Sequence, residues 1–352
     1  MRRFVSSARL LGRRVLCVLL IALSSAEAAA LPVVADEHSI TLRLQKSYGG
    51  TTLWARPFPK SVTLSPDGRR LAVIAGGVDR LSDRAIEWLE VLDTTTGRLT
   101  RDFGYTYWVA VRWHPSKLAL IATDGDADKP DYYWADLRTG RRRQLFRGDA
   151  HPFCWSPFGM LFTEAVVPVD PATGRMGRWG NFGFRIPWHT GSYYDTRRMS
   201  CGADGRVAVE IWTRYPARYL GMYRKVPRYM KWVRAGRIDP KLSGRKVIWY
   251  PTNPNFLADG RLVYLRVYPA QWKSLFTSDA RPVPGAHKAR NRAEVWVSSL
   301  DGKNQRRVLT LWHLRPHTEA PSADWFTIDR TGRTICYLDN KKIRVLRLAK
   351  PL

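Results

Sequence analysis

The sequence predicts an all-β protein, a six-bladed β-propeller of four-stranded antiparallel blades, with seven blades as the alternative count. Two recurring turn phrases and one spare strand near the N-terminus carry this prediction. The first phrase is a tetrapeptide, in most copies rich in Pro, Asp and Gly, between two short apolar runs, a pattern typical of a hairpin turn. Its six copies begin at Ser65, His114, Ser156, Gly202, Leu257 and Asp329. Their spacing starts at roughly 40–50 residues, the length of one propeller blade.

The second phrase is another hairpin tip, placed where the third strand of a blade would meet the fourth. Its copies are Asp93–Arg98, Asp136–Arg141, Asp170–Arg175 and Leu300–Lys303. Together the phrases predict strands of blade one near 60–64, 70–75, 87–93 and 98–103, and strands of blade two near 108–113, 117–122, 131–137 and 141–146.

The last blade requires a strand from elsewhere in the chain. After the turn at Asp329 the sequence predicts only strands 334–338 and 343–348, which leaves the blade one strand short. Residues 40–45 alternate apolar and polar side chains at period two and have no place in blade one. We therefore expect strand 40–45 to complete the last blade. A disordered N-terminal segment is the alternative.

Residues 1–30 have the pattern of a secretory signal peptide. A basic start is followed by an apolar stretch over 15–23, too short to span a bilayer, and by small residues that permit cleavage after Ala28 or Ala30. The prediction is an exported protein, periplasmic or secreted, whose residues 31–352 form a single propeller domain. An uncleaved membrane anchor is the alternative.

Three cysteines remain beyond the signal segment. Cys154 and Cys201 each lie just before a first-phrase turn of neighbouring blades, so a disulfide between them is geometrically conceivable in an oxidising compartment. Cys336 has no obvious partner. Buried, unpaired thiols are the preferred interpretation.

The charge of the chain points to anionic partners. The formal net charge is +28, from 58 Lys and Arg against 30 Asp and Glu. Such an excess favours an acidic glycan, an anionic envelope component or an acidic protein. Nucleic acid is not expected for an exported protein, and a monomer is expected.

A basic and aromatic segment is the predicted ligand-binding platform. Guanidinium groups bind carboxylates and phosphates while aromatic faces stack on sugars. The long connections Thr213–Tyr229 and Tyr268–Arg292 would both emerge on one propeller face. The candidate ligand-binding residues are Arg214, Tyr215, Arg218, Tyr219, Arg224, Arg228, Tyr229, Lys231 and Trp232. The alternative is that the tyrosines fill the blade and the arginines form its solvated rim.

Two weaker patterns concern metals. Asp124, Asp126, Asp128 and Asp131 alternate as in a calcium loop, but an ordinary acidic loop explains them better because the EF-hand Gly and Glu are missing. His151, His313 and His317 fall between blades, near the opening of the channel, and three imidazoles there could hold a divalent metal. No cofactor is the preferred prediction.

The phrases Val62–Val73 and His151–Gly159 resemble the repeat of TolB-type propellers, exported six-bladed relatives of the WD-repeat fold. The resemblance covers roughly residues 60–348. It implies a periplasmic location and protein binding across the propeller face. We expect no counterpart of TolB's N-terminal α/β domain. The repeat is also similar to that of oligogalacturonate lyases, which implies channel histidines, here His151 and His317, that hold a metal.

Two functions follow. The first is a non-catalytic exported propeller that docks an anionic partner, with no catalytic residue. The second is a metal-dependent lyase acting on acidic oligosaccharides, with His151, His313 and His317 in the catalytic centre. A Gly-x-Ser-x-Gly motif and a P-loop are both absent from the sequence, so a nucleophilic hydrolase is not expected.

Overall fold

Small antiparallel sheets build the described part of the protein. The computed structural model describes residues 33–42, 58–78, 85–106, 108–124, 131–147, 153–155, 161–163, 168–169, 195–202, 205–212, 218–226, 231–243, 246–268, 292–312, 324–339 and 342–352. Within these ranges every regular element is a β-strand, and none is a helix that could cross a membrane.

The strands are short, as expected for propeller blades. In chain order they are β1 (Val34–Ile40), β2 (Phe58–Leu64), β3 (Arg70–Val78), β4 (Ala85–Asp93), β5 (Leu99–Thr106), β6 (Trp108–Trp113), β7 (Ala119–Asp124), β8 (Asp131–Asp136), β9 (Arg142–Arg147), β10 (Phe153–Trp155), β11 (Leu161–Thr163), β12 (Pro168–Val169), β13 (Asp195–Cys201), β14 (Val207–Trp212), β15 (Arg218–Val226), β16 (Lys231–Ile238), β17 (Lys241–Ser243), β18 (Lys246–Phe256), β19 (Leu262–Tyr268), β20 (Arg292–Ser298), β21 (Arg306–Trp312), β22 (Phe326–Ile328), β23 (Thr334–Asp339) and β24 (Lys342–Leu348).

Neighbouring strands in the chain pair into successive sheets. The first sheet is β2–β5, the second β6–β9, the third β10–β12, the fourth β13–β16, the fifth β17–β21, and the sixth β22–β24 with β1. Five of these have the four or five strands of a complete blade, and the third has three in the described residues. The all-β propeller arrangement predicted from the sequence is therefore present.

Contacts between the inner strands, and the hydrophobic cores between neighbouring sheets, stabilise the propeller. The strands β2, β6, β10, β13, β18 and β22 contact one another in a closed cycle. Buried apolar side chains fill the gaps between successive sheets, as with Val91 of the first sheet and Val111 of the second. Because both faces of a sheet are covered in this way, its apolar residues run along both faces of the inner strands.

Side-chain hydrogen bonds to the backbone stabilise the turns formed by the first phrase. After β2, Ser65 Oγ accepts the Arg70 N–H at 2.9 Å, and Gly68 adopts φ +70°, which a residue without Cβ reaches without strain. His114 takes the equivalent role after β6, where its Nδ1 accepts the backbone N–H groups of Ser116 and Lys117. A histidine in the first position of the phrase thus preserves the turn.

The predicted strands of blades one and two are confirmed to within a few residues, but the fifth sheet has one strand more than expected. The inner strand β18 is 11 residues long. Its pairing with β19 begins only at Tyr250, and the earlier part pairs instead with β17, where Lys241 opposes Trp249. The length of β18 therefore creates the extra strand.

An N-terminal strand pairs with β24 in the sixth sheet, although not at the residues expected. The pairing runs from Val34 opposite Leu348 to Ile40 opposite Ile343, so the strand is Val34–Ile40 rather than 40–45. Most of β1 is exposed because it is the outer strand, whereas Ile40 and Leu42 are buried. The paired strand ends at Ile40, where the predicted strand was expected to begin, and residues 43–45 lie outside the described residues.

Candidate functional site

A central cavity of about 120 Å³ lies inside the cycle of inner strands. All six sheets contribute to its wall. One lining residue from each sheet is Thr63, Arg112, Trp155, Ser200, Asn255 and Thr327. The turns after β2 and β22 also reach the cavity, through Ser65 and Arg330.

A buried network of charges lies at this cavity. Asp324, before β22, is ion-paired with Arg112 of β6, and its other oxygen lies 3.8 Å from the Arg198 Nε of β13. Arg198 also pairs with Glu210 at 3.1 Å, and Glu210 accepts a hydrogen bond from the Thr252 hydroxyl at 2.6 Å. The network thus joins the second, fourth, fifth and sixth sheets.

The charges in this network compensate one another. Two guanidinium groups face two carboxylates, and Arg198 and Glu210 are almost fully buried. Burial raises the pKa of Asp324, while the neighbouring Arg112 and Arg198 oppose that rise. Removing one member would leave a buried charge unpaired, which is far more costly than losing an exposed pair.

The disulfide between Cys154 and Cys201 also lines the cavity and corrects the sequence-based preference for unpaired thiols. It joins β10 to β13, with the two Cα atoms 5.7 Å apart. Both cysteines lie near the ends of neighbouring inner strands, which brings them together. Cys336 is buried and free.

The predicted ligand-binding platform is only partly within the described residues. Arg214, Tyr215, Arg228 and Tyr229 lie outside them, and Arg218, Lys231 and Trp232 lie in strands β15 and β16. Arg224 is exposed. Tyr219 is 5% exposed, and the Arg237 guanidinium covers its ring at 4.1 Å.

The interpretation of Thr213–Tyr229 as one long connection is wrong, because Arg218–Val226 forms the third strand of the fourth sheet. Tyr219 and Tyr223 pack in the core that also contains Cys154, while Leu220 and Met222 pack toward the fifth sheet. Both faces of β15 are therefore covered. Tyr219 is therefore a buried tyrosine that fills the blade, which was the alternative to its prediction as a ligand-binding residue. The connection between Tyr268 and Arg292 has both of its ends in strands, β19 and β20.

The candidate metal residues are also divided. Asp124 and Asp131 face each other at the ends of β7 and β8, and Asp131 accepts a hydrogen bond from the Gln144 amide at 3.0 Å. Asp126, Asp128, His151, His313 and His317 lie outside the described residues. Across the described ranges, three or more His, Cys, Asp or Glu side chains nowhere gather as potential metal ligands.

A basic surface that the sequence did not single out lies on the outer strand of the second sheet. We call it the second-sheet basic edge. Its five exposed arginines are Arg138, Arg141, Arg142, Arg143 and Arg147. They belong to the turn before β9 and to β9 itself, which is the last strand of its sheet. The signal that could have revealed them is the dense run of arginines over 138–147 in a strand that the repeat already placed on the outside.

The carboxylates nearest to this edge in sequence accept hydrogen bonds from backbone and amide groups. Asp136 accepts the backbone N–H groups of Arg138 and Thr139, and Asp131 is held by Gln144. Aromatic rings lie beside cations of the same sheet: the Arg142 guanidinium is 5.7 Å from the Tyr133 ring centre, and Lys117 is 5.6 Å from that of Trp134. The edge thus carries several exposed positive charges, and the half-buried rings near it already contact cations of the same sheet.

Comparison with known proteins identified no matching family model and no curated relative. Similar solved structures include the propeller domain of the Trilobed protease from Pyrococcus furiosus, at 10% identity and TM-score 0.44, with 83% of each chain covered. Another is oligogalacturonate lyase from Vibrio parahaemolyticus, at 11% identity and TM-score 0.42, with 90% of this chain and 98% of that chain covered. These similarities are low, and the propeller arrangement rests on the strand pairing described above.

Proposed function

We propose that this protein is an exported, non-catalytic binding propeller that docks an acidic glycan through the second-sheet basic edge. The fold is proposed to have six blades, since six inner strands form the closed cycle and β10–β12 occupy the place of the third blade. Export follows from the signal-peptide pattern of residues 1–30.

The observation that carries the proposal is the exposure of five arginines along one outer strand and its turn. Successive residues of a strand advance about 3.3 Å, so Arg141 and Arg147 lie roughly 20 Å apart along the edge. A row of this length can meet several acidic groups of one linear chain at once. Exposed charges contribute little singly, but several acting together on one polymer contribute an additive attraction.

An acidic glycan suits this edge better than the other anionic partners considered, an envelope component of another kind or an acidic protein. Guanidinium groups bind carboxylates and sulfates, and a linear acidic glycan presents such groups one after another along an extended chain, as the arginines are presented along β9. The lyase alternative depends on His151, His313 and His317, and no described residue adds to it. Binding without catalysis is therefore the function we propose.

Affinity for a defined acidic polysaccharide tests this proposal. The full gene is expressed with its own first 30 residues, the exported protein is purified, and its N-terminus is sequenced. Binding to polygalacturonate and to uncharged dextran is then measured by titration calorimetry at low and high salt. We expect polygalacturonate alone to bind, with an affinity that falls as salt rises because exposed charges are screened.

A pair of matched variants locates the site. Replacing Arg138, Arg141, Arg143 and Arg147 by Gln should weaken binding about tenfold or more. The control carries the same change in charge at four exposed positions elsewhere, Arg69, Arg333, Lys342 and Lys350, and should stay within about threefold of the unmodified protein. Equal losses in both variants, or binding that ignores salt, would contradict the proposal.

A further inference from the structure

One guanidinium at the central cavity has no acidic partner in the described part of the chain. Arg330 follows β22, lines the cavity and is half-buried. Its backbone is fixed, because its N–H donates to Pro66 and its carbonyl accepts from Ala258. Its side chain, in contrast, is ion-paired with no carboxylate among the described residues. Burial lowers the pKa of Arg330, but a guanidinium remains charged in proteins.

The wall of the cavity therefore carries a net positive charge. Arg112 and Arg330 contribute two cations, and Asp324 contributes one anion. Arg198, which also contacts Asp324, is balanced by Glu210. In a concave site walled by protein, this uncompensated charge attracts an anion more strongly than it would at the open surface.

Two hydroxyl groups at the cavity can donate hydrogen bonds to such an anion. Ser200 Oγ accepts the Phe256 N–H at 3.1 Å, and Thr327 Oγ1 accepts the Leu64 N–H at 3.2 Å. Each hydroxyl has one hydrogen of its own, and in the described part of the chain neither donates it to a protein acceptor. Ser200 and Thr327 thus each offer one hydroxyl hydrogen at this wall.

We propose that the central cavity binds a small oxyanion, a carboxylate or sulfate group, with Arg330 as its ion-pair partner and the Ser200 and Thr327 hydroxyls as hydrogen-bond donors. A cavity of about 120 Å³ accommodates several water molecules or one group of this size. This site is separate from the second-sheet basic edge and does not depend on the proposed glycan binding. The oxyanion is either a free ion or the acidic terminus of a larger ligand.

Sulfate at constant ionic strength tests the site in the full exported protein. Sulfate also stabilises proteins in general by exclusion from their surface, so the comparison must be made between variants. Arg330→Gln removes the cation and leaves the backbone bonds of residue 330 in place. Arg333→Gln makes the same change three residues later, on a side chain that is exposed and does not line the cavity. Melting temperatures are followed as sodium sulfate replaces sodium chloride.

We expect sulfate to raise the melting temperature of the unmodified protein and of Arg333→Gln more than that of Arg330→Gln, because a ligand that binds only the folded state stabilises it. Crystals soaked in selenate should show an anomalous peak in the cavity beside Arg330. Equal sulfate responses in all three proteins, together with no peak in the cavity, would overturn the proposal.

Galacturonate and trigalacturonate distinguish the two sources of the oxyanion. If both stabilise the protein in an Arg330-dependent manner, the cavity accepts free small anions. If only trigalacturonate does so, the cavity takes the acidic end of a longer ligand. Both results support an oxyanion site, and a response that is unchanged in Arg330→Gln contradicts it. The four-arginine variant of the basic edge should respond to sulfate like the unmodified protein, so failure of one proposal leaves the other testable.

Discussion

Two different kinds of interaction connect neighbouring parts of the propeller: backbone pairing in one place and a disulfide in another. In the sixth sheet, the N-terminal strand β1 pairs with the C-terminal strand β24 through backbone hydrogen bonds. Between the third and fourth sheets, the Cys154–Cys201 disulfide joins two inner strands covalently. The first device lies at the outer rim and the second at the central cavity. The pairing of the two chain ends therefore depends on non-covalent interactions, which pH or denaturant can weaken. The wall of the central cavity is instead held by a covalent bond.

The closure also has a titratable group beside it. A cavity of about 400 Å³ is lined by residues of β1, such as His38 and Ile40, and by Glu90 and Arg98 of the first sheet. Glu90 is 2% exposed and accepts a hydrogen bond from the Trp88 indole at 2.9 Å. Burial and the Asp102 carboxylate raise the pKa of Glu90 from 4.5 to about 7. The closure should therefore respond to pH near neutrality.

The largest effect should come from removing the closing strand. Deleting residues 31–46 removes the pairing with β24 and the burial of Ile40 and Leu42, which alone contributes about 3–6 kcal/mol. This is a large part of the stability of an ordinary domain. We expect a loss of cooperative unfolding in urea, followed by circular dichroism. A chain that unfolds at the same urea concentration as the intact protein would show that β1 is dispensable.

The disulfide should come next. It closes a segment of 47 residues, for which the loop-entropy relation gives about 4 kcal/mol. Replacing Cys154 and Cys201 together by Ser should lower the free energy of unfolding by that order, and a reductant should then have no further effect. The control is Cys336→Ala with the disulfide intact, which should remain sensitive to reductant. If the double variant were as stable as the unmodified protein, the disulfide would contribute nothing measurable to the free energy of unfolding.

The third prediction concerns pH at the closure. Because the pKa of Glu90 is raised on folding, the protonated form favours the folded state, and this stabilisation is complete below about pH 4.5 and is lost as the pH rises through about 7. Glu90→Gln retains an acceptor for Trp88 and cannot ionise. At pH 8 it should be more stable than the unmodified protein by about 3 kcal/mol, with little difference near pH 4.5. Identical pH profiles would contradict the assignment.

The sequence allowed the propeller and the strands of blades one and two to be predicted because the repeated turns depend on local chemistry, such as the Ser65 and Asp93 side chains that accept backbone N–H groups. The bounds of β1 could not be predicted in the same way, since its pairing uses backbone groups and six of its seven residues are not buried. The Cys154–Cys201 bond depends on the meeting of two strands distant in sequence. The sequence predicts Tyr219 as a binding residue for a related reason, since it does not show that both faces of β15 are covered.

The smallest expected effect tests whether surface charge contributes to the closure. Glu37 on β1 lies 3.7 Å from Arg344 of β24, which also holds Asp339 at 2.9 Å. Glu37 is about half exposed, and exposed ion pairs contribute at most about 1 kcal/mol. Glu37→Gln should therefore change the free energy of unfolding by less than 1 kcal/mol and leave the pH profile set by Glu90 unaltered. A double-mutant cycle with Arg344→Gln isolates the coupling between the two charges. A coupling well above 1 kcal/mol would mean that the closure depends on this pair and not on backbone pairing and the burial of Ile40.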